Sequence, residues 1–330
     1  MSYQLIKRQL IKRAKLSHLL WPYKKNGLYC FNFHRIGNAN DADFDPCVYS
    51  CTAESLEQYL VFFKSNFKVI NIEQLCGILD KGEPINEKLA LITFDDGYRD
   101  NFDLAYPLLK KHNIPASFFI TTSLIESDCV PWWDEIAWHI KQCGGQSIKL
   151  SPWDDSIIID NPVSIHAIRA ILKRIKSTPK LIEQQLQELR AISNKEVPKD
   201  LSNNLFMDWT QLKTLSQDGI DIGAHSHTHR VLSSLSEEEL IFELSESKKL
   251  LENNLKKQIK SVSYPVGSQS AYNKEMFVLL KELEYQVGFS FQSLINSKLN
   301  EYRFELARMS IDREFNAYML KEMILCSNTL

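Results

Sequence analysis

Apolar positions in this chain gather into two alternating kinds of run. Short, nearly continuous apolar runs recur near 28–33 (LYCFNF), 67–71 (FKVIN), 89–94 (LALITF), 115–121 (PASFFIT), 219–224 (GIDIGA), 260–265 (KSVSYP), 285–291 (YQVGFSF) and 304–310 (FELARMS). That length and composition predict buried strands. Between them lie longer amphipathic stretches, at about 53–65, 72–80, 101–112, 208–217, 236–255 and 273–283, which predict helices. Strand–helix alternation implies a mainly parallel sheet. Eight strands, with no Gly-x-Gly-x-x-Gly turn opening a helix, fit a distorted (β/α)7–8 TIM-like barrel of the α/β class better than a doubly wound sheet.

One interval breaks the rhythm. Between the fourth and fifth strands, about residues 126–207, the chain carries VPWWDEIAWHI, a turn-like SPWDDSIIIDNP and a helical hairpin over about 163–193 broken at Pro179. We expect a helical insertion over the C-terminal mouth of the barrel. The helix expected over 236–257 is acidic at its start and basic at its end, as a macrodipole favours, and suggests no function. The organisation is then a basic amphipathic segment over 1–27 and a barrel over 28–330.

Composition narrows the class. At 44% hydrophobic and 24% charged over 330 residues, the chain is a folded, soluble protein. No apolar run approaches the roughly 18 residues of a membrane span. The 39 Lys and Arg nearly balance 41 Asp and Glu, so no chain-wide basic footprint points to nucleic acid. Seven scattered cysteines without a CxxC pair suit a reducing cytoplasm. The N-terminal MSYQLIKRQLIKRAKLSHLLWPYKKNG has no secretory-signal pattern,. Its Leu5, Ile6, Leu10 and Ile11 can share a helix face apart from Lys7, Arg8, Lys12 and Arg13. Residues 1–20 can therefore lie on an anionic membrane surface, or dock on the protein itself.

Two stretches carry candidate chemistry. In LALITFDDGYRDN an apolar strand runs straight into Asp95 and Asp96. Adjacent carboxylates at a buried strand end require a compensating charge, and a metal with one carboxylate as ligand and the other as base supplies it. The alternative is a turn in which either Asp accepts backbone N–H groups. In GIDIGAHSHTHR three of the chain's eight histidines follow a strand within five residues, a density that points to metal. His225 and His229 face one way if the chain turns helically there, His225 and His227 if it stays extended. One carboxylate and two histidines leave open coordination positions, as catalytic sites do. Zinc or another divalent cation suits hydrolysis, and iron(II) suits oxygen chemistry. An HxD or HxE pair on an all-β pattern, which would favour the oxygenase, is absent.

These motifs resemble those of the polysaccharide deacetylases with the NodB homology domain, carbohydrate esterase family 4, over about Leu28 to Ile311. The first motif is Thr93-Phe94-Asp95-Asp96-Gly97-Tyr98 and the second His225-Ser226-His227-Thr228-His229. The resemblance implies Asp95 as general base, Asp96, His225 and His229 as metal ligands, His227 free and Ser226 bracing the histidine loop. The implied cofactor is a divalent metal, zinc foremost, with cobalt, nickel or manganese as substitutes. A partial third motif, Ser263-Tyr264-Pro265-Val266-Gly267, implies a groove wall in which Val266 offers an oxyanion N–H beside Pro265 and Gly267; Tyr98 is assigned to the same substrate wall.

The chain departs from the family pattern in two chemical respects. The arginine that orients the base is missing from the third motif, and Arg308 is the expected substitute. The late Leu-x-x-His that supplies the general acid is also missing, and His34 is the replacement by position. Trp132 and Trp133 can stack on sugar rings or pack the insertion, whereas Trp138 and Trp209 read as packing. The expected activity is N-deacetylation of an N-acetylated sugar in a surface-polysaccharide or lipid-linked glycan intermediate, in the cytoplasm or at the inner membrane face. The alternative is a catalytically idle carbohydrate-binding protein on the same barrel.

Overall fold

The computed structural model of the chain describes residues 17–311 and 317–330. Each of the eight apolar runs forms a strand. These are β1 (Gly27–Phe33), β2 (Lys68–Val69), β3 (Lys88–Phe94), β4 (Ser117–Ile120), β5 (Asp221–Ala224), β6 (Ser261–Ser263), β7 (Val287–Phe289) and β8 (Arg308–Ser310). The sheet runs β7-β6-β5-β4-β3-β1-β8, with β2 beside the start of β3, and every pairing is parallel. A parallel bridge between Phe289 and Leu306 brings the two ends of this path together, giving the nearly closed barrel that the alternation implied.

Helices fill the connections: α1 (Ala53–Asn66), α2 (Ile72–Lys81), α3 (Tyr106–His112), then α4 (Trp132–Lys141), α5 (Ile165–Lys176) and α6 (Ile182–Ser193) in the insertion, and α7 (Trp209–Gln217), α8 (Glu237–Leu255), α9 (Met276–Glu282) and α10 (Ala317–Cys326). Side chains at their starts explain where several begin. Asn71 with Gln74, Asp208 with Gln211 and Ser236 with Glu239 form capping boxes for α2, α7 and α8,. The helix expected over 101–112 is divided: residues 101–105 form a wider turn, with Tyr106 N–H bonded to the Asn101 carbonyl, before α3 begins. Such i→i+5 turns leave no mark in apolar spacing.

Period-two alternation sorts the strand residues. Tyr29, Phe31 and Phe33 pack in one cluster with α1, where Phe31 stacks on Phe63 at 4.3 Å. Leu28, Cys30, Leu89, Leu91 and Phe289 form another, and Phe119 of β4 meets Phe289 of β7 at 5.4 Å across the barrel interior. Following the interior row toward the strand ends, Cys30 leads to Asn32 and His34, and Leu91 leads to Thr93 and Asp95. The interior therefore turns polar at its C-terminal mouth, the usual position of a site on this architecture.

The insertion has its own core, with Ile136, Ile140, Ile168, Ile171, Leu172, Leu186 and Leu189 packed together. Pro179 opens the short turn between α5 and α6. The stretch expected to be a turn contributes Ile157–Ile158, paired antiparallel with Ser147–Ile148. Among the described residues no helix is long and apolar enough to cross a membrane. The proposed membrane-binding face over 1–20 lies outside the described residues except for its last turn, Ser17–Leu20.

Candidate active site

At the mouth of the barrel Asp95 and Arg308 form a two-point ion pair. The guanidinium donates from Nη1 to Oδ1 and from Nη2 to Oδ2, each at 2.7 Å. Both residues are buried. Asn32 Nδ2 donates to Asp95 Oδ2 at 3.1 Å, while its Oδ1 accepts from Arg308 Nη1 at 2.7 Å and from Thr93 Oγ1 at 2.7 Å. Arg308 also donates to Ser263 Oγ at 2.6 Å and to the Ser290 carbonyl at 3.1 Å. Burial alone would raise the Asp95 pKa, but the facing guanidinium, joined by His225 and His34, more than offsets it and holds the carboxyl below its ordinary value,. Asp95 is thus a buried carboxylate that stays ionised, with its orientation fixed by Arg308.

The neighbouring carboxylate faces the other way. Asp96 Oδ1 lies 3.4 Å from the Nε2 of both His225 and His229, and the three ligand atoms fall within 4.8 Å of one another. Asp96 Oδ1, although buried, has no hydrogen-bond partner. His225 Nδ1 lies 2.9 Å from the Ser263 carbonyl, so that nitrogen carries the proton and the Nε2 lone pair faces Asp96. A buried unpartnered carboxylate oxygen beside an imidazole lone pair is a donor set that fits a divalent cation.

Backbone strain accompanies this arrangement. Asp96, Ser226, His229 and Val266 all take left-handed φ, at 74°, 60°, 57° and 63°. For a β-branched residue such as Val266 this costs on the order of 1–3 kcal/mol. The histidine loop is braced at two points. Ser226 Oγ accepts the His229 N–H at 2.9 Å, and buried Glu243 on α8 accepts the N–H groups of His227 and Thr228, both at 2.8 Å, as well as the Thr228 hydroxyl. The helix that suggested no function therefore carries the anchor of the histidine loop. His227 turns from the trio toward Thr122 Oγ1, 2.9 Å from its Nδ1.

A cleft of about 420 Å³ opens over these groups, lined also by His34, Trp133, Val266, Arg169 and Lys176. His34 enters from the end of β1 with Phe291 edge-on to its ring at 5.9 Å. Burial pushes its imidazole below the ordinary value, with Asp96 and Asp95 pulling the other way. The assignment of Tyr98 to the substrate wall needs correction, and of the two readings of Trp132 and Trp133 the structure favours packing. Tyr98 is fully buried behind the cleft, where its hydroxyl donates to Asp134 at 2.7 Å and accepts from Trp133 Nε1 at 2.8 Å; it is a packing residue, not a substrate contact. Trp133 lines the cleft, but its ring lies 4.1 Å from that of His229 and is 5% exposed, leaving no free face for a sugar. Trp132 stands outside the lining, with its indole N–H on the His229 carbonyl at 3.4 Å.

Pro265 and Gly267 support the wall from behind. A Cβ at Gly267 would lie 2.6 Å from Phe291 Cβ and 2.9 Å from its backbone nitrogen, so only glycine allows this turn to sit against Phe291. Asn32, Glu243, Arg169 and Lys176 line or support the site and motif reading did not single them out, while Ser263 was read only as part of the third-motif wall. Period-two continuation of the interior rows would have placed Asn32.

The parallel-strand barrel thus brings an oriented buried carboxylate beside an Asp–His–His trio that could hold a metal, as suits hydrolytic chemistry,. The polysaccharide deacetylase profile matches residues 82–288, and the chain belongs to that family, hydrolases of carbon–nitrogen bonds. It is 24% identical over 236 residues to the putative polysaccharide deacetylase YxkH of Bacillus subtilis, covering 71% of this chain and 56% of that one. It is 22% identical over 291 residues to the poly-beta-1,6-N-acetyl-D-glucosamine N-deacetylase of Staphylococcus aureus, covering 85% and 78%. Among solved structures, the Streptococcus pyogenes deacetylase PplD superimposes with a TM-score of 0.60 at 17% identity, covering 90% and 98%. A de-N-acetylase from Aggregatibacter actinomycetemcomitans gives 0.58 at 17%, covering 90% and 99%.

Proposed function

We propose that the protein is a metal-dependent N-deacetylase acting on N-acetylated glycans. The observation that carries this is a buried carboxylate, Asp95, locked by Arg308 beside the Asp96–His225–His229 trio. A divalent cation held by that trio, zinc in our reading, would supply Lewis acidity toward the acetamide carbonyl and lower the pKa of water near it. Asp95 accepts the proton of the attacking water. Val266 lines the cleft, and its N–H would donate to the oxyanion that develops on the carbonyl oxygen, a kind of contact typically worth about 3 kcal/mol in the transition state. His34 relays to the leaving nitrogen the proton that Asp95 took from water as the C–N bond breaks, releasing acetate and a free sugar amine.

The idle-protein alternative rests on the absence of an arginine in the third motif and of the late histidine. The Arg308 contact with Asp95 removes the first ground, and the position of His34 in the cleft weakens the second. Surface polysaccharide of the poly-N-acetylglucosamine kind, or its lipid-linked intermediate, is the substrate class that the relatives and the basic segment over 1–20 together support. The test is acetate release from β-1,6-linked N-acetylglucosamine oligomers by zinc-reconstituted protein beside Asp95→Asn. We expect turnover by the wild type and a loss of about 10²–10⁴-fold in the variant. No acetate from the metal-loaded wild type on any N-acetylated glycan would overturn the assignment.

A further inference from the structure

Helix α5 of the insertion presents two cations to the cleft. Ile168, Ile171, Leu172 and Ile175 bury one side of it in the insertion core. Arg169 and Lys176, seven residues or about two turns apart, lie on another side and line the same cleft as the metal-ligand trio. The two cations are held differently. Arg169 Nη1 donates to buried Asp45 at 2.8 Å, and Asp45 also accepts the Cys47 N–H at 2.9 Å. This pair ties α5 to the loop after β1, across the mouth. Lys176 has no carboxylate within ion-pair distance among the described residues; its ammonium sits 5.6 Å from the centroid of the Trp132 ring. Burial lowers its pKa and Arg169 adds to that, while Asp45, Asp96 and Asp134 act from further away in the opposite sense.

A half-buried lysine kept beside a catalytic cleft without a counter-ion is a desolvation cost that an anionic ligand would offset. We propose that Lys176, with Arg169 beside it, recognises a negatively charged group, a phosphate ester or a carboxylate, that the substrate carries near its acetamide. Among the candidate glycans, this favours the lipid-linked intermediate, which carries a glycosyl phosphate, or an acidic glycan, over the neutral homopolymer. This rests on the deacetylase reading and narrows it.

The test compares three N-acetylated probes on the zinc-loaded protein. They are an alkyl phosphodiester of N-acetylglucosamine 1-phosphate, an N-acetylglucosamine–glucuronate tetrasaccharide and a neutral β-1,6-linked N-acetylglucosamine tetramer. We expect at least one charged probe to exceed the neutral one in kcat/KM, and which one does so separates phosphate from carboxylate. That preference should fall about tenfold, a 1.4 kcal/mol change, in Lys176→Met and persist in Lys176→Arg. A preference for the neutral tetramer, or an equal loss on all three probes in Lys176→Met, overturns the proposal. If no probe yields acetate, the deacetylase reading fails, and calorimetry on Asp95→Asn still decides the charge recognition. Binding of a charged probe that depends on Lys176 supports it, and equal or absent binding of all three overturns it.

Discussion

Asp95 and Arg308 meet through two parallel N–H···O bonds, a fork that a lysine cannot reproduce although it keeps the charge. Arg308→Lys should therefore fold but lose on the order of 10- to 100-fold in kcat with a smaller change in KM, measured by acetate release, because the base loses its orientation and not its ligand. Asp134 makes a different prediction. Burial pushes its carboxyl up to about 7, and one of its oxygens has no partner, as suits a protonated acid receiving the Tyr98 hydroxyl. The folded state holds this proton more tightly than the unfolded one. Its stabilising contribution is therefore complete below the ordinary carboxylate range and is lost as pH rises toward 7. Asp134→Asn, which stays neutral, should gain on the wild type by a few kcal/mol between pH 4.5 and pH 8, read as a change in the gap between their melting temperatures. A gap that does not move with pH would mean that Asp134 is ionised in the folded protein.

Single elements carry whole functions here. Helix α8 anchors the histidine loop through one carboxylate, so Glu243→Gln, which cannot accept all three contacts, should weaken zinc binding by about 10- to 100-fold in a chelator competition and also lower the melting temperature of the metal-free protein, because a buried donor loses its acceptor at a cost of about 1–3 kcal/mol. The turn after β6 depends on Gly267 in a comparable way. Gly267→Ala drives a methyl against Phe291 and should destabilise the fold by about 1–3 kcal/mol in denaturant unfolding. The eight strands were readable because each is a short, mostly apolar run, and the Asp95–Asp96 and histidine motifs because they sit where such runs stop. Arg308 was readable only as a cation at a strand end. Glu243 was not readable at all, since a lone carboxylate in an otherwise charged helix looks solvated until its partners, 15 and 16 residues earlier, fold over it. Tyr98 misled because it follows the motif directly in sequence, yet the turn at Gly97 sends its ring into the insertion core.

Viewed as a whole, the molecule has a barrel core and a separate insertion core, and the cleft is the seam between them. Shrinking the second core should disturb the cleft without opening the barrel. Ile171→Ala, which leaves a cavity costing about 2–5 kcal/mol, should raise hydrogen exchange through 126–207 and lower activity while β1 and β3 stay protected. Exchange that rises equally in the barrel strands would show the two cores to be one cooperative unit. The strand order also bears on how this protein comes into being. Arg308 lies 213 residues after Asp95, on the last strand of the sheet, which closes against β1. On a ribosome adding about 5–20 residues per second, that separation lasts roughly 10–40 seconds. Throughout this interval the nascent chain holds its base without the partner that makes burial of the charge tolerable. Under the proposed mechanism hydrolytic competence therefore arrives with the final strand and not before, and a chain cut short of it would bear both the Asp95–Asp96 and the histidine motif and remain inert.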